Sequence, residues 1–410
     1  MIFEEISTTE FDAYARSHPL HNFMQTSQMG EVGKISGLVS YYVGVRENGK
    51  LIGACRLAGV KNRLGQYFFS AFRGPLLNYE NEALVAFFTK EVKTFLKAKK
   101  GYALDIDPAI IHLERDINGD PVPGGIDHTP MVAMFEKLGY QHVGFQTEYD
   151  ITRQGRWLFV LDLEGKSETE VFKAMKQNHR NIIKKTEKFF IEIKEVGFDE
   201  LEDYKRITEE TGQRRGFEDR SLAYYKEVYK QFHDTGEVKF LIAYLNVNAY
   251  IESLQNSLIK EHAKYEKAMA NNPEAGKTKE LGITVNSLQK RLREAQELLS
   301  DGTYIPLSAA MFMLYEDEIT YMFSGSYEKY MNFYAQYAIQ WYMIKLGIAK
   351  GYKRYNFYGI SGNFDKSDPE YGVYEFKKGF QGYVVEYLGN FVLPISAYYT
   401  VNKLIAKIKN

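Results

Sequence analysis

"YAQYAIQWYMIKLGIAKGYKRYNFYGI", residues 334–360, decides the fold class. Residues 334–352 read as a helix, and 354–360 as the strand that follows it. The first half of the chain carries a parallel stretch, "TPMVAMFEKLGYQHVGF" (129–145), a helix stopped by Gly139 and followed by a strand. The likeness of "KLGYQHVGF" to "AKGYKRYNFYGI" predicts an internal duplication.

Working outward, the same elements recur in the same order. "SYYVGVRENGKLIGACRLAGVK" (40–61) alternates on both sides of Asn48-Gly49, a hairpin signal. Strands at 66–77 and 102–108 flank an amphipathic helix at 81–100. In the second half a strand at 238–245, two more within 304–326, the helix and the 354–360 strand repeat that series. A hairpin, a strand, a helix, a strand and then helix-Leu-Gly-Tyr-strand is the order of an acyl-CoA acetyltransferase-like (GNAT) domain. The expected fold is therefore α/β, with two GNAT-like domains in tandem. The first spans 1–152; the second is built from 153–245 and 303–388; 389–410 is a tail packing on the body.

Residues 246–302 break the symmetry. Leu281, Val285, Leu288, Leu292, Ala295 and Leu299 step 4,3,4,3,4, a heptad seam. Ile251, Leu254, Leu258, Tyr265 and Ala268 form a partner seam, interrupted at Glu261 and His262, and "NNPEAGK" (271–277) is the turn. The expectation is an antiparallel coiled-coil arm inserted in the second domain. It reads either as a dimerisation arm or spacer, or as an RNA-binding arm through lysines and arginines that acidic neighbours dilute.

Composition narrows the function classes. At 410 residues the chain exceeds the roughly 250–300 that one core usually supports. Net charge is −1, so no global basic field announces nucleic acid and any such contact is a local patch. Cys55 is the only cysteine, which excludes an internal disulfide and a cysteine metal cluster. The N-terminus lacks a signal-peptide pattern and no 18 apolar residues run together, so the expectation is a soluble cytoplasmic protein. Scattered histidines predict no metal site and no cofactor. Neither a Gly-x-x-x-x-Gly-Lys loop nor a Gly-x-Ser-x-Gly elbow is present. Such a chain suits direct transfer of an activated acyl group to an amine.

Three stretches offer ligand contacts. "YNFYGISGNFDKSDPEYGVYEFKKGFQG" (355–382) sets a Gly/Ser/Asp loop against an aromatic–lysine corner. "KAMKQNHRNIIKKTEKFF" (173–190) is a basic helix, either a solvated face or a phosphate-facing patch. "TGQRRGFEDRSLAYY" (211–225) sets arginines beside tyrosines, as phosphate forks need.

Those stretches, with "RGP" (73–75), "DIDP" (105–108) and "TEYDITRQGRW" (147–157), resemble the Fem/Mur family of non-ribosomal peptidyltransferases, through essentially the whole chain. The resemblance implies transfer of an amino acid from aminoacyl-tRNA to the stem peptide of a peptidoglycan precursor, lipid-linked or UDP-linked. It implies a peripheral contact with the inner face of the membrane and leaves the oligomeric state open. Likeness to the FemB and MurN end of the family implies alanine or glycine as the residue transferred.

Carried over by residue, Phe376 and Lys377 match the pair that binds and orients the aminoacyl-tRNA end, with Lys377 a solvent-facing ammonium for the oxyanion or terminal phosphate. Arg220 and Tyr224 match residues that hold the precursor's diphosphate–sugar end. Arg73 and Asp107 join them as substrate-binding positions. Two positions depart: the family's N-terminal lysine falls on Gly33, with Lys34 next, and a tyrosine near the sugar falls on Phe323. Lys184, Lys185, Lys290 and Arg291 are the expected tRNA contacts. No base is evident; Asp365, Asp368 and Glu375 are candidates that alternatively cap turns. An acetyl-CoA-dependent N-acetyltransferase is the alternative, though 324–338 lacks a pyrophosphate loop; a non-catalytic RNA-binding protein is the third reading.

Overall fold

A computed structural model describes residues 1–148, 153–401 and 403. Residues 149–152 of the "TEYDITRQGRW" stretch, and 402 and 404–410 of the expected tail, lie outside the described residues.

Strand β1 (Ile2–Glu5) leads into helices α1 (Thr8–Ser17) and α2 (Ser27–Lys34). Ser7 and Thr26 cap these helices with side-chain oxygens that accept from Glu10 and Met29 amides. The hairpin forms as β2 (Val39–Glu47) and β3 (Lys50–Lys61). Its Asn48 and Gly49 have φ of 51° and 80°, the left-handed pair that keeps a two-residue turn in step with strand twist. After β4 (Tyr67–Ala71), α3 (Glu82–Ala98) crosses over to β5 (Gly101–Ile106). Next come β6 (Ile111–Glu114), α4 (Pro130–Lys137) and the two-residue β7 (Gln141–His142).

The second half opens with β8 (Trp157–Asp162), α5 (Glu168–Ala174), α6 (Gln177–Glu187) and β9 (Ile191–Glu195). Helices α7 (Leu201–Arg215) and α8 (Leu222–Phe232) precede β10 (Val238–Asn246). Helices α9 (Val247–Asn271) and α10 (Gly276–Glu297) interrupt the sheet before β11 (Tyr304–Tyr315) and β12 (Glu318–Ser326). Then follow α11 (Ala335–Lys350), β13 (Arg354–Gly359), α12 (Tyr371–Lys378), β14 (Tyr383–Tyr387) and β15 (Phe391–Pro394).

These elements make a mixed α/β structure with two sheets. The first is ordered β1-β2-β3-β4-β5-β15-β7, the second β6-β14-β8-β13-β12-β11-β10-β9. Each sheet has one parallel pair among the described residues, β4–β5 joined through α3 and β12–β13 joined through α11. A parallel pair needs such a crossover, which is why the 334–360 stretch is informative.

The sheets do not follow the expected division of the chain. Strand β15, assigned to the tail at 389–410, lies inside the first sheet between β5 and β7, with Phe391 opposite Ile106. Strand β6, within 1–152, pairs with β14 at the edge of the second sheet. The physical reason is burial: Phe391, Val392 and Leu393 are all shielded, and Phe391 and Leu393 join the core of the first sheet.

Helices α9 and α10 run antiparallel, since Arg291 donates to the Tyr250 hydroxyl at the base while Gly282 faces Tyr265 further out. Of the residues expected to face one another, Leu254, Val285 and Ala295 are buried, and Leu281, Leu288 and Leu292 half-buried. Leu299 departs from that expectation and is exposed. At the base, Tyr250, Leu254 and Ala295 join the core of the second sheet beside Phe189 and Phe333. A separate core on the other face of that sheet takes in Met24, Met29 and Val32 from the first half. Burying each such side chain contributes about 1.5–3 kcal/mol, so the halves are bound by apolar packing. Cys55 is fully buried, as expected, and burial pushes its thiol far up.

Candidate active site

The corner that holds Phe376 and Lys377 is assembled where β13 ends. Tyr358 adopts a left-handed φ of 65°, and its amide donates to Asn356 Oδ1 at 2.8 Å, which turns the chain out of the sheet. The following loop is a series of short side-chain caps. Ser361 Oγ accepts from the Asn363 amide, Asn363 Oδ1 from Asp365, Asp365 Oδ1 from Ser367, and Asp368 Oδ1 from Glu370. Asp365 and Asp368 are thus turn caps, and the Ser367 contacts hold the Asp365 carboxyl below its ordinary range. Glu375, the third candidate base, pairs with Lys176 at 3.0 Å and accepts from the Tyr371 hydroxyl at 3.1 Å.

Helix α12 then folds back onto the strand end. Lys377 is only 5% exposed and its Nζ donates to the Gly359 carbonyl at 2.6 Å. The expected solvent-facing ammonium is therefore corrected to a buried one, because the last turn of α12 lies against β13. Burial pulls its pKa down to about 7, with the Glu370 charge opposing. Phe376 is half-buried, edge-on to Tyr337 with centroids 4.9 Å apart and 5.5 Å from Phe380.

Sequence reasoning missed what holds this corner from below. His179 of α6 is buried, and its Nε2 donates to the Phe376 carbonyl at 2.9 Å. Burial lowers the His179 pKa, which keeps the ring neutral. Gly379 lies so close to that ring that a Cβ would stand 1.9 Å from its Cε1, so no larger residue fits. The Lys176 amide donates to the Gly379 carbonyl at 2.9 Å. Within a run of lysines, His179 carries no sequence signal of burial.

A second group assembles at α7–α8 and β12. The Arg220 guanidinium lies 5.6 Å from the Tyr224 ring centre and 5.8 Å from that of Phe323. Those two rings meet edge to face at 6.2 Å. Arg220 is exposed, and no carboxylate pairs with it among the described residues. Three expected acceptor residues thus converge, with Phe323 supplying a ring but no hydroxyl. Arg215, one helix end away, pairs with Glu370 at 3.5 Å and so ties this segment to the loop before α12. Lys34 is not brought to the group; it ends α2 in an exposed pair with Glu31.

Arg73 and Asp107 lie inside the protein. The Arg73 amide donates to Asp107 Oδ1 at 2.7 Å and its Nη2 to the Gly155 carbonyl at 2.6 Å. Its guanidinium lies 3.4 Å from Asp107 Oδ2 and 4.6 Å from the Tyr387 ring centre. Burial pushes the Asp107 carboxyl up to about 7 against the pull of Arg73. Their geometry is that of a brace between the ends of β4 and β5 and strand β14, where a direct substrate contact had been expected. Both side chains are buried, and Arg73 reaches across to Gly155 and Tyr387 of the second half.

Of the expected RNA contacts, Lys185 and Arg291 converge. Both lie over Phe189, at 5.5 and 5.9 Å. Lys184 lies instead over Phe172 and Lys290 pairs with Glu294. Among the described residues no cluster of three or more histidine, cysteine or acidic groups could hold a metal ion.

The sequence pattern of the FemAB family matches residues 6–407. Aminoacyltransferase FemA of Staphylococcus epidermidis is 32% identical over 420 residues, covering 100% of both chains. Aminoacyltransferase FemA of Staphylococcus aureus is 30% identical over 421 residues, covering 100% of this chain and 99% of its own. The crystal structure of FemX is similar in fold, with a TM-score of 0.76 and 23% identity over 99% of this chain and 100% of its own. Agreement at that level from end to end has one consequence: the chain belongs to the FemAB family.

Proposed function

We propose that this aminoacyltransferase moves an amino acid, alanine or glycine, from aminoacyl-tRNA to an amine of a peptidoglycan precursor's stem peptide or growing cross-bridge. The acceptor is lipid-linked or nucleotide-linked, and the reaction takes place on the cytoplasmic side, against the inner face of the membrane. In this reading the two halves are tandem GNAT-like domains, with α9 and α10 a coiled-coil arm. The observation that carries the reading is the buried Lys377 beside Phe376.

An ester carbonyl attacked by a neutral amine gains a C–N bond and passes through a tetrahedral oxyanion. The C–O bond to the ribose then breaks, and the amine's proton ends on the leaving ribose oxygen. A buried lysine poised near neutrality takes up its proton when negative charge arrives beside it, and its two remaining N–H donors then face that charge. Phe376 offers a ring edge that fixes the aminoacyl end. The Arg220 fork over Tyr224 and Phe323 receives the precursor's diphosphate. Lys185 and Arg291 lie on the RNA path at the base of the arm.

The purified chain, given alanyl-tRNA or glycyl-tRNA and a nucleotide-linked precursor, should extend the precursor by one residue. Acetyl transfer from acetyl-CoA, with no aminoacyl transfer, would overturn the reading.

A further inference from the structure

One end of the first sheet combines two surface chemistries that the transfer reaction does not use. At this end β3 finishes, β4 and β5 begin, and β15 gives way to residues 395–403. Hydrogen bonds make it one surface. The Tyr67 amide donates to the Lys100 carbonyl at 3.0 Å, and the Ile395 amide to the Tyr102 carbonyl at 3.0 Å. Asn62 Nδ2 donates to the Tyr398 hydroxyl at 3.2 Å, and the Tyr398 ring meets Tyr102 edge-on at 5.1 Å.

At its apex the β3–β4 turn presents Leu64, 72% exposed, with Val60 at 46%; Val401 is 50% exposed on the 395–403 segment. The turn is built to hold that leucine outward. Asn62 Oδ1 accepts from the Leu64 and Gln66 amides, and Gly65 supplies the left-handed φ of 76° that closes the loop. Around these residues stand Lys61, Arg63, Lys97, Lys100 and Lys403, all exposed. No carboxylate pairs with any of the five among the described residues, in a chain whose net charge is −1. The one acidic neighbour in an ion pair here, Glu5, is held by Lys99 at 3.2 Å. Tyr67, Tyr102 and Tyr398 are half-buried, the amphipathic rings that suit a boundary between apolar and wet phases.

We propose that this end of the first sheet docks on the surface of an anionic lipid bilayer. Exposed aliphatic side chains ringed by cations with no carboxylate partner among the described residues are complementary to an acyl boundary under negatively charged headgroups. A nucleic acid would use the cations but leave Leu64, Val60 and Val401 in water. The proposal rests on the reading of function above only in explaining why an enzyme that acts on a lipid-linked acceptor would need such a face; the surface itself is defined independently.

The experiment is flotation of the full chain with vesicles of phosphatidylglycerol and phosphatidylcholine, compared with phosphatidylcholine alone. The chain should bind the anionic vesicles, and high salt should weaken that binding. Each cation near such a surface strengthens binding about fivefold, so Lys61→Gln with Arg63→Gln should weaken it about 25-fold. Leu64→Asp should weaken it at least about tenfold, because an aspartate cannot enter the boundary. Both variants should keep wild-type thermal stability and wild-type turnover on a nucleotide-linked acceptor. No binding to anionic vesicles, or variants that bind like wild type, overturns the proposal. So does a Lys61/Arg63 variant that loses affinity for RNA while binding vesicles normally. Vesicle binding without aminoacyl transfer would uphold the surface and remove the reading of function, whereas transfer without vesicle binding would do the reverse.

Discussion

Exchanging Lys377 for methionine keeps the length of the side chain and removes an ammonium that burial has pulled down to about 7 from 10.5. Between those two values the unfolded chain holds a proton that the folded chain has lost. Stability of the wild type therefore rises with pH across that window, and the penalty is fully present below about 7. At about 1.4 kcal/mol for each pH unit, the penalty near pH 7 is on the order of 4–5 kcal/mol. Against this, the Gly359 carbonyl loses its donor, which costs about 1–3 kcal/mol. Lys377→Met should accordingly be more stable than wild type by roughly 1–4 kcal/mol at pH 7. The difference should shrink with rising pH, cross zero near about pH 9, and reverse above it. Aminoacyl transfer should be lost at every pH. Trp157 and Trp341 both pack in the core that Lys377 adjoins, so their fluorescence during urea unfolding follows the relevant part of the fold. A variant less stable than wild type at pH 7, or a gap that does not change between pH 7 and 10, would refute the argument that burial sets this lysine's charge.

Three other perturbations test separate parts of the site. Arg220→Ala should raise KM for the precursor about tenfold with kcat little changed, as loss of remote binding does; equal loss on precursors with and without the diphosphate would make Arg220 structural. Gly379→Ala forces a methyl into the His179 ring and should cost more than about 2 kcal/mol and most of the turnover. Adding His179→Ala should recover much of that stability, and a double-mutant cycle reads the coupling. Replacing 258–287 by a short Asn-Gly turn should leave the fold intact and flatten the salt dependence of tRNA binding. Removing all of 248–300 takes Tyr250, Leu254 and Ala295 out of the core and should be strongly destabilising, visible as a lowered Tm.

What could be read from the sequence was local. Asn48-Gly49 fixes its hairpin by backbone geometry alone, and the 4,3,4,3 spacing of Leu281, Val285, Leu288 and Leu292 fixes which faces of α9 and α10 meet. Motif likeness singled out Arg220, Tyr224 and Phe323, and the structure sets their side chains within about 6 Å of one another. What escaped depends on contacts between remote segments. Nothing within Phe391–Pro394 says which sheet will accept it, since its partners in β7 and β5 lie about 250 to 290 residues away by register. The charges of 173–190 suggested a solvated face or a phosphate-facing patch, yet within that stretch the Arg180 guanidinium caps the carbonyls of Lys173 and Met175. Lys377 looked solvent-facing for the same reason: exposure is decided by how α12 closes on β13, and a lysine spells charge whichever way it closes.

The exchange of strands explains why such a lysine can be held at all. Helix α12 is anchored on one side by Gly359 at the end of β13, and on another by His179 and the Lys176 amide of α6. It leads directly into β14, which is paired on both edges, by β8 from its own half and by β6 from the other. The Arg73–Asp107 brace reaches the same strand through Tyr387. Shifting α12 to release the ammonium into water would disturb a strand common to both halves, and that cost exceeds the few kcal/mol gained by solvating one charge. The fold thereby keeps a cation short of its full charge at a fixed position. In the proposed reaction, negative charge brought to that position relieves the penalty, as an acyl-transfer oxyanion would at the moment it forms.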